Sequence, residues 1–237
     1  SNIIGIIGIH LAAQPKDNDH PYGHKKYETF YALGIAFLLF LVALGIMHES
    51  LGRFTNPVPV KIGFFSFAVM FLTIAVNLYV MRYEKKKGTE LKSDILISDS
   101  MHTRADIFTS LSVLAAFISV KIGYPLLDPV ISIVISVFIA FCGYKIMRES
   151  SNILCDAAAV NDVKPIIDAA LKIEGVKSCH KVRTRGRPDD IYVDLHVEVD
   201  GKISVDTAHG ISYAIEDSIK KSLSGITDVV VHIEPKK

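Results

Sequence analysis

Phe30 to Met47 is an unbroken run of 18 residues without a charge, and Ile62 to Met81 is another of 20. A helix needs about 20 consecutive apolar residues to cross the roughly 30 Å hydrocarbon core of a bilayer. Runs of this length restrict the chain to membrane-spanning helices or to helices wholly buried in a large soluble core. Two further runs have spanning length. Ile95 to Ile122 carries Asp99, His102, Arg104 and Asp106 in its first half, and Pro129 to Tyr144 starts at a turn marked by Asp128 and Pro129. Residues 3–13 (IIGIIGIHLAA) are apolar but too short to span, and no charged n-region of a signal peptide precedes them. They read as the end of a transmembrane helix that begins before Ser1, so the chain looks truncated. The expectation is a membrane domain over residues 1–155 with four whole helices and one partial helix. Residues 156–237 have the composition of an ordinary soluble domain.

Lysine and arginine decide between the two readings and give the orientation. One set of connections carries Lys16, Lys25, Lys26, Arg82, Lys85, Lys86, Lys87, Lys92, Lys145 and Arg148, whereas the other carries Arg53, Lys61 and Lys121. This sorting favours membrane helices over buried soluble ones. It puts the basic side, and the C-terminal domain with it, in the cytosol. A mean hydropathy of +0.35 agrees with an integral membrane protein. A net charge of +1 argues against a nucleic-acid partner.

Asp99, His102 and Asp106 are spaced i, i+3 and i+7, which stacks them on one helix face. Ionisable groups at membrane depth cost about 2.5–3.5 kcal/mol each on insertion scales, so they usually face a water-filled cavity or a partner. An imidazole and a carboxylate one turn apart can share a divalent cation at about 2.0–2.2 Å. They can equally pair with Arg104 or with each other near the interface. Asp17, His20 and His24 form a second set of metal-ligand type, in a short hydrophilic loop. That loop also has a plainer reading, as a solvated connection with incidental histidines.

The soluble segment reads α-β-β-α-β. Asn161 to Ile173 has helical spacing with Asn161 as a suitable N-cap, and Ser178 to Arg185 reads as a strand. In residues 191–199, Ile191, Val193, Leu195, Val197 and Val199 share one face and Tyr192, Asp194, His196 and Glu198 the other. Asp206 to Leu223 is an amphipathic helix, and Asp228 to Glu234 a last strand in which His232 and Glu234 point the same way. A small sheet with two helices on one face and a half-polar second face is expected.

The segments D-S-M-H-T-R-A-D at 99–106 and D-x-x-H-P-Y-G-H at 17–24 resemble the cation diffusion facilitator family, particularly its bacterial zinc and ferrous-iron exporters. Motif separation, helix count and soluble tail all match. The resemblance implies a six-helix membrane bundle, four full helices and a partial one being visible here, followed by a cytosolic ferredoxin-like αββαβ domain. It implies a homodimer in a bacterial inner membrane that exports a divalent metal in exchange for protons by alternating access. It assigns His102 and Asp106 to a tetrahedral transport site shared with two carboxylates of the second helix, which fall just before Ser1. A histidine must be neutral to ligate, so protons compete with metal there. The resemblance also implies a metal at Asp17, His20 and His24, and a regulatory metal site at the dimer interface from His180, His196, His209, His232 and Glu234. Lys26 resembles a lysine that pairs with an aspartate after the last helix, here Asp156, although it also reads as an ordinary positive-inside lysine. The expected metals are Zn2+ or Fe2+, both transported and regulatory, with cadmium and cobalt compatible. The fifth-helix H-x-x-x-D departs from the D-x-x-x-D of the manganese-like branch, which disfavours manganese.

Other classes fare poorly. No H-E-x-x-H and no G-x-x-x-x-G-K-[ST] occurs, so neither an intramembrane metallohydrolase nor an ATP-driven pump is expected. Cys142, Cys155 and Cys179 lack C-x-x-C spacing and suggest no thiolate site. A secondary transporter, not an enzyme, is the expectation. The alternative is a metal-sensing or assembly protein of the same family that binds metal without moving it.

Overall fold

The computed structural model describes residues 2–55, 64–121, 124 and 126–236. They form two compact units, Ser1–Ser150 and Ser151–Lys237.

The first unit is helical: α1 (Asn2–Ala12), α2 (Lys26–Thr55), α3 (Phe64–Leu91), α4 (Asp94–Lys121) and α5 (Leu127–Leu154, which ends in the second unit). The helices outrun the apolar segments that announce them. From Met81 to Leu91, α3 continues through Arg82, Glu84 and Lys85–Lys87, and α5 continues from Tyr144 to Leu154. Lys, Arg and Glu are good helix formers whose charged heads reach water beyond the bilayer edge, so charge ends the apolar run without ending the helix. Lys61, Ile62 and Ile122 lie outside the described residues.

Lys26–Phe54, Phe67–Leu91 and Leu127–Leu154 are each long and apolar enough to cross a membrane. Their large side chains point outward: Phe37 is 62% exposed, Leu72 66% and Phe141 62%. A soluble bundle would hide such residues, and a lipid-facing one does not need to. The core of this unit joins Ala32, Ile35, Ala36, Leu39 and Ala43 of α2 to Ile95 and Ala105 of α4 and to Ile139 and Ile146 of α5. Small residues let the helices approach closely, the usual mode of packing in lipid. A Cβ at Gly143 of α5 would lie 3.2 Å from the Ala36 carbonyl oxygen and 3.3 Å from Leu39 Cβ. Gly143→Val is therefore expected to cost about 1–3 kcal/mol by overpacking, read as a lower midpoint in thermal unfolding in detergent. At the far end, Arg53 Nη1 donates to Asp128 Oδ2 at 3.0 Å and Nη2 to Glu49 Oε1 at 2.6 Å, tying α2 to the start of α5.

The second unit contains α6 (Lys164–Leu171), β1 (Ser178–Arg187), β2 (Asp190–Val199), α7 (Val205–Ser222) and β3 (Ile226–Pro235). The sheet order is β1-β2-β3, with β1 antiparallel and β3 parallel to β2. The parallel step needs a crossover, and α7 supplies it. Ile191, Val193, Leu195, Val197 and Val199 face a core with Ile166, Ala169 and Ala170 of α6 and Ile215 and Ile219 of α7. The alternation of β2 thus puts both helices on one face, as expected, and leaves the other to polar side chains.

Asn161 is not the N-cap of α6. The helix starts later, after Val163, without a side-chain cap, because Asp162 Oδ1 accepts the Lys164 N–H at 3.0 Å and Pro165 in the first turn has no N–H to be capped. The β1–β2 hairpin turns through Gly186 at φ +107°, where an added Cβ would sit 2.2 Å from the Asp190 carbonyl oxygen. Only glycine fits there.

Candidate metal sites

The loop between α1 and α2 gathers its three expected ligands. Asp17 Oδ1 lies 3.3 Å from His20 Nδ1, and Asp17 Oδ2 lies 3.4 Å from His24 Nε2. The imidazoles are 4.3 Å apart between ring centroids, and His24 is buried while Asp17 and His20 are accessible. His24 Nδ1 is 3.0 Å from the Pro15 carbonyl oxygen, which can only accept. That contact puts the proton of a neutral His24 on Nδ1 and leaves Nε2 with a lone pair turned to the Asp17 carboxylate. Two acceptors facing each other across 3.4 Å favour a cation between them.

The His20 backbone N–H, donating to Asp17 Oδ1 at 2.6 Å, is the main reason the Asp17 carboxyl sits below its ordinary value of 3.8. With a lowered folded value, this group's contribution to the fold is complete above that ordinary value and is lost as pH falls through the folded one. Any cation held here would compete with protons for the two imidazoles, which ligate only when neutral. Zinc affinity is expected to fall at least about tenfold between pH 7 and pH 5.5, measured against a competing fluorescent chelator. Asp17→Asn should weaken binding at both pH values and leave that slope in place.

The polar face of the sheet carries a second cluster. His180, His196 and His232 occupy directly paired positions on β1, β2 and β3, and their rings follow one another at 5.6 and 4.6 Å between centroids. Glu234 completes the row: Oε1 is 2.8 Å from His196 Nδ1 and 3.6 Å from His232 Nε2, and Oε2 is 3.3 Å from His180 Nε2. The His196 hydrogen bond is the main cause that keeps the Glu234 carboxyl below the usual carboxylate range. A bulge between His180 and Arg183, with Lys181 at φ +49°, adds a residue to β1 just after His180. His209 is not brought to this row. It lies on α7, whose core residues pack on the opposite face of the sheet, with its ring 4.5 Å from Tyr213.

His102 and Asp106 sit one turn apart on α4. Nδ1 of His102 is enclosed without a hydrogen-bond partner, whereas Asp106 is exposed. Among the described residues no ion pair joins Arg104 to either; its guanidinium lies 4.9 Å from the ring centroid of Phe138 and 5.6 Å from that of Phe108. Asp99, the third member of the stack, accepts a hydrogen bond from Tyr31 of α2 at 3.2 Å. Its role is therefore different, since it fastens α4 to a neighbour.

Residues 1–155 match the family model described as cation efflux transmembrane domain, and 159–236 the one described as cation efflux protein, cytoplasmic domain. The chain belongs to the cation diffusion facilitator family. Metal tolerance protein C1 of Arabidopsis thaliana is 28% identical over 98% of this chain, and the chain spans 53%, about half, of that relative's length. Manganese efflux system protein MneS of Bacillus subtilis is 27% identical and cation-efflux pump FieF of Shewanella oneidensis 26%. Each match covers 99% of this chain, with 81% and 79% of the respective relative. A solved structure described as MamM-CTD H285A is 27% identical over 31% of this chain and 91% of its own, with a TM-score of 0.30.

As a cation diffusion facilitator the chain is a transporter-family protein and not an enzyme, with a transmembrane and a cytoplasmic domain. Four further residues of the membrane domain, on α2 and α3, bond to α4. Glu84 of α3 accepts from Thr103, next to His102, at 3.0 Å. Glu28, Thr29 and Tyr31 of α2 all bond to α4. The available signal is Glu84 itself, an acid inside an otherwise basic segment. For the α2 residues, partners 65 or more positions away are invisible to local spacing. Asp156 Oδ2 lies 3.8 Å from Arg185 Nη1 within the cytoplasmic unit.

Proposed function

We propose that this chain works in a homodimeric exporter of divalent cations, zinc or ferrous iron first and cadmium or cobalt next, by proton-coupled alternating access. Its place is a bacterial inner membrane, with residues 1–155 in the bilayer and 156–237 in the cytosol. The observation that carries the reading is the unpartnered, enclosed Nδ1 of His102 one turn from Asp106, on a helix where Asp99 and Thr103 each bond to a neighbouring helix. An imidazole left without a partner is costly unless a cation or proton visits it. Here the cation is cargo, and His102 and Asp106 are its ligands from this helix. One imidazole with carboxylates suits zinc, iron, cobalt and cadmium alike.

Asp17, His20 and His24 fit a second divalent cation by donor type and spacing, and so do His180, His196 and Glu234, with His232 3.6 Å from the Glu234 carboxylate. Bound there, metal would supply a rigid cross-link between strands or loop ends. In the dimer His209 is the remaining candidate ligand.

A sensing protein that binds metal without moving it is the second reading. Among the described residues, the two groups of three mutually close ligands lie outside the membrane helices, and that favours it. A transport assay separates the two. Full-length protein in proteoliposomes, offered Zn2+, Fe2+, Cd2+ and Mn2+ in competition with an internal pH dye, should move zinc or iron fastest with opposite proton flow. Binding without flux would support the sensor. Flux of manganese above the others would overturn the metal assignment.

A further inference from the structure

We propose that the first two turns of α2 form a strut that carries cation occupancy of the Asp17–His24 loop to α4, the helix of His102 and Asp106. The inference rests on the loop reading above. At one end of the strut, Tyr27 lies against both loop imidazoles, stacked on His24 at 5.9 Å and tilted to His20 at 6.0 Å between ring centroids. α2 itself begins at Lys26, two residues after His24. Gathering Asp17, His20 and His24 onto one ion thus pulls directly on its first turn.

At the other end, the next residues grip the start of α4. The Asp94 N–H donates to Glu28 Oε2 at 3.1 Å, and Ser93 Oγ donates to Glu28 Oε1 at 3.4 Å. Thr29 Oγ1 donates to Asp94 Oδ2 at 3.1 Å, and Tyr31 Oη donates to Asp99 Oδ1 at 3.2 Å. Thr29 is wholly buried and Tyr31 is 9% exposed, so water competes little with either bond. A helix N-terminus has four unpaired N–H groups and a partial positive charge. Ser93 Oγ, directly before α4, accepts the Leu96 N–H at 3.5 Å, and Glu28 adds a carboxylate to the same end from α2. His102 follows Asp99 by one turn. Movement of the α2 N-terminus is passed on over residues 93–99 and delivered to the transport ligand. Because coupling between two sites is reciprocal, cation at His102 and Asp106 should tighten the loop by the same factor.

Hydrogen exchange over residues 93–101 of the full-length protein in nanodiscs tests this. The background carries His102→Ala, Asp106→Ala, His196→Ala and Glu234→Ala, so that the loop is the remaining proposed site. Zinc is expected to slow exchange there by about fivefold, the low end of ordinary site–site coupling. In Glu28→Gln and Tyr31→Phe, which keep side-chain shape, the loop should still bind zinc while the slowing disappears. If Asp17→Ala with His24→Ala leaves the bound zinc equivalents unchanged, the loop reading fails and the strut with it. If those substitutions remove one equivalent, yet exchange over 93–101 is the same with and without zinc, the loop stands and the coupling is overturned. Slowing that persists in both Glu28→Gln and Tyr31→Phe also overturns it.

Discussion

His102→Ala and Asp106→Ala are each expected to lower the divalent-cation affinity of the membrane domain at least about 100-fold, since even partners that merely orient a ligand cost 10- to 100-fold. Binding and folding separate cleanly at Asp106. Asp106 is exposed, so Asp106→Ala should change thermal stability without metal by no more than about 0.5 kcal/mol, and His102→Ala loses no hydrogen bond at the enclosed Nδ1. Asp99 is the control on the same helix face. Its carboxylate is already held by Tyr31, so Asp99→Asn should disturb helix packing more than cation affinity. Calorimetric titration of the full-length protein reads all three. A loss of affinity in Asp99→Asn as large as in His102→Ala would make the stack a single undifferentiated acidic face.

The second large effect belongs to the soluble domain. An 87-residue unit, residues 151–237, buries a modest core, and domains of this size gain much from a metal cross-link. Zinc at 100 times its dissociation constant stabilises the folded form by about 2.7 kcal/mol. For a domain of this length that raises the unfolding midpoint by about 10 °C or more. His196→Ala should abolish nearly all of the shift, because His196 is the middle member of the row and contacts Glu234 at 2.8 Å. His209→Ala should leave the shift intact in dilute monomer and reduce it only where the domain dimerises. Differential scanning calorimetry with and without zinc measures both. An unchanged zinc shift in His196→Ala would remove the cluster from the account.

Much of this architecture is legible in the sequence because it follows from period and polarity. The uncharged stretch Phe30–Met47 lies inside α2, and the alternation from Ile191 to Val199 matches the buried face of β2. The stacking of Asp99, His102 and Asp106 follows from helical geometry alone. What spacing cannot reveal is which members of a stack are already occupied. Asp99 and Asp106 look equivalent in sequence, yet Tyr31, 68 positions away from Asp99, separates them. The bond from the Asp94 N–H to Glu28 is hidden for the same reason, and so is the placement of His209 on α7, which packs on the sheet face opposite His196. Helix ends are not legible where polar residues keep the helical conformation, as in Arg82–Leu91, or where Asp162 rather than Asn161 accepts the first helical N–H. In each case the deciding partner is tertiary or a competing neighbour, while the periodic pattern is local.

Zinc uptake into inverted proteoliposomes, wild type against Asp106→Asn at equal protein density and with an outward proton gradient, tests the central claim most directly. The account expects saturable, gradient-dependent zinc accumulation in wild type, and at least about 100-fold slower accumulation in Asp106→Asn, the size of effect that loss of a cation ligand brings. Equal rates in the two proteins, or zinc that binds wild type and never crosses, would contradict it.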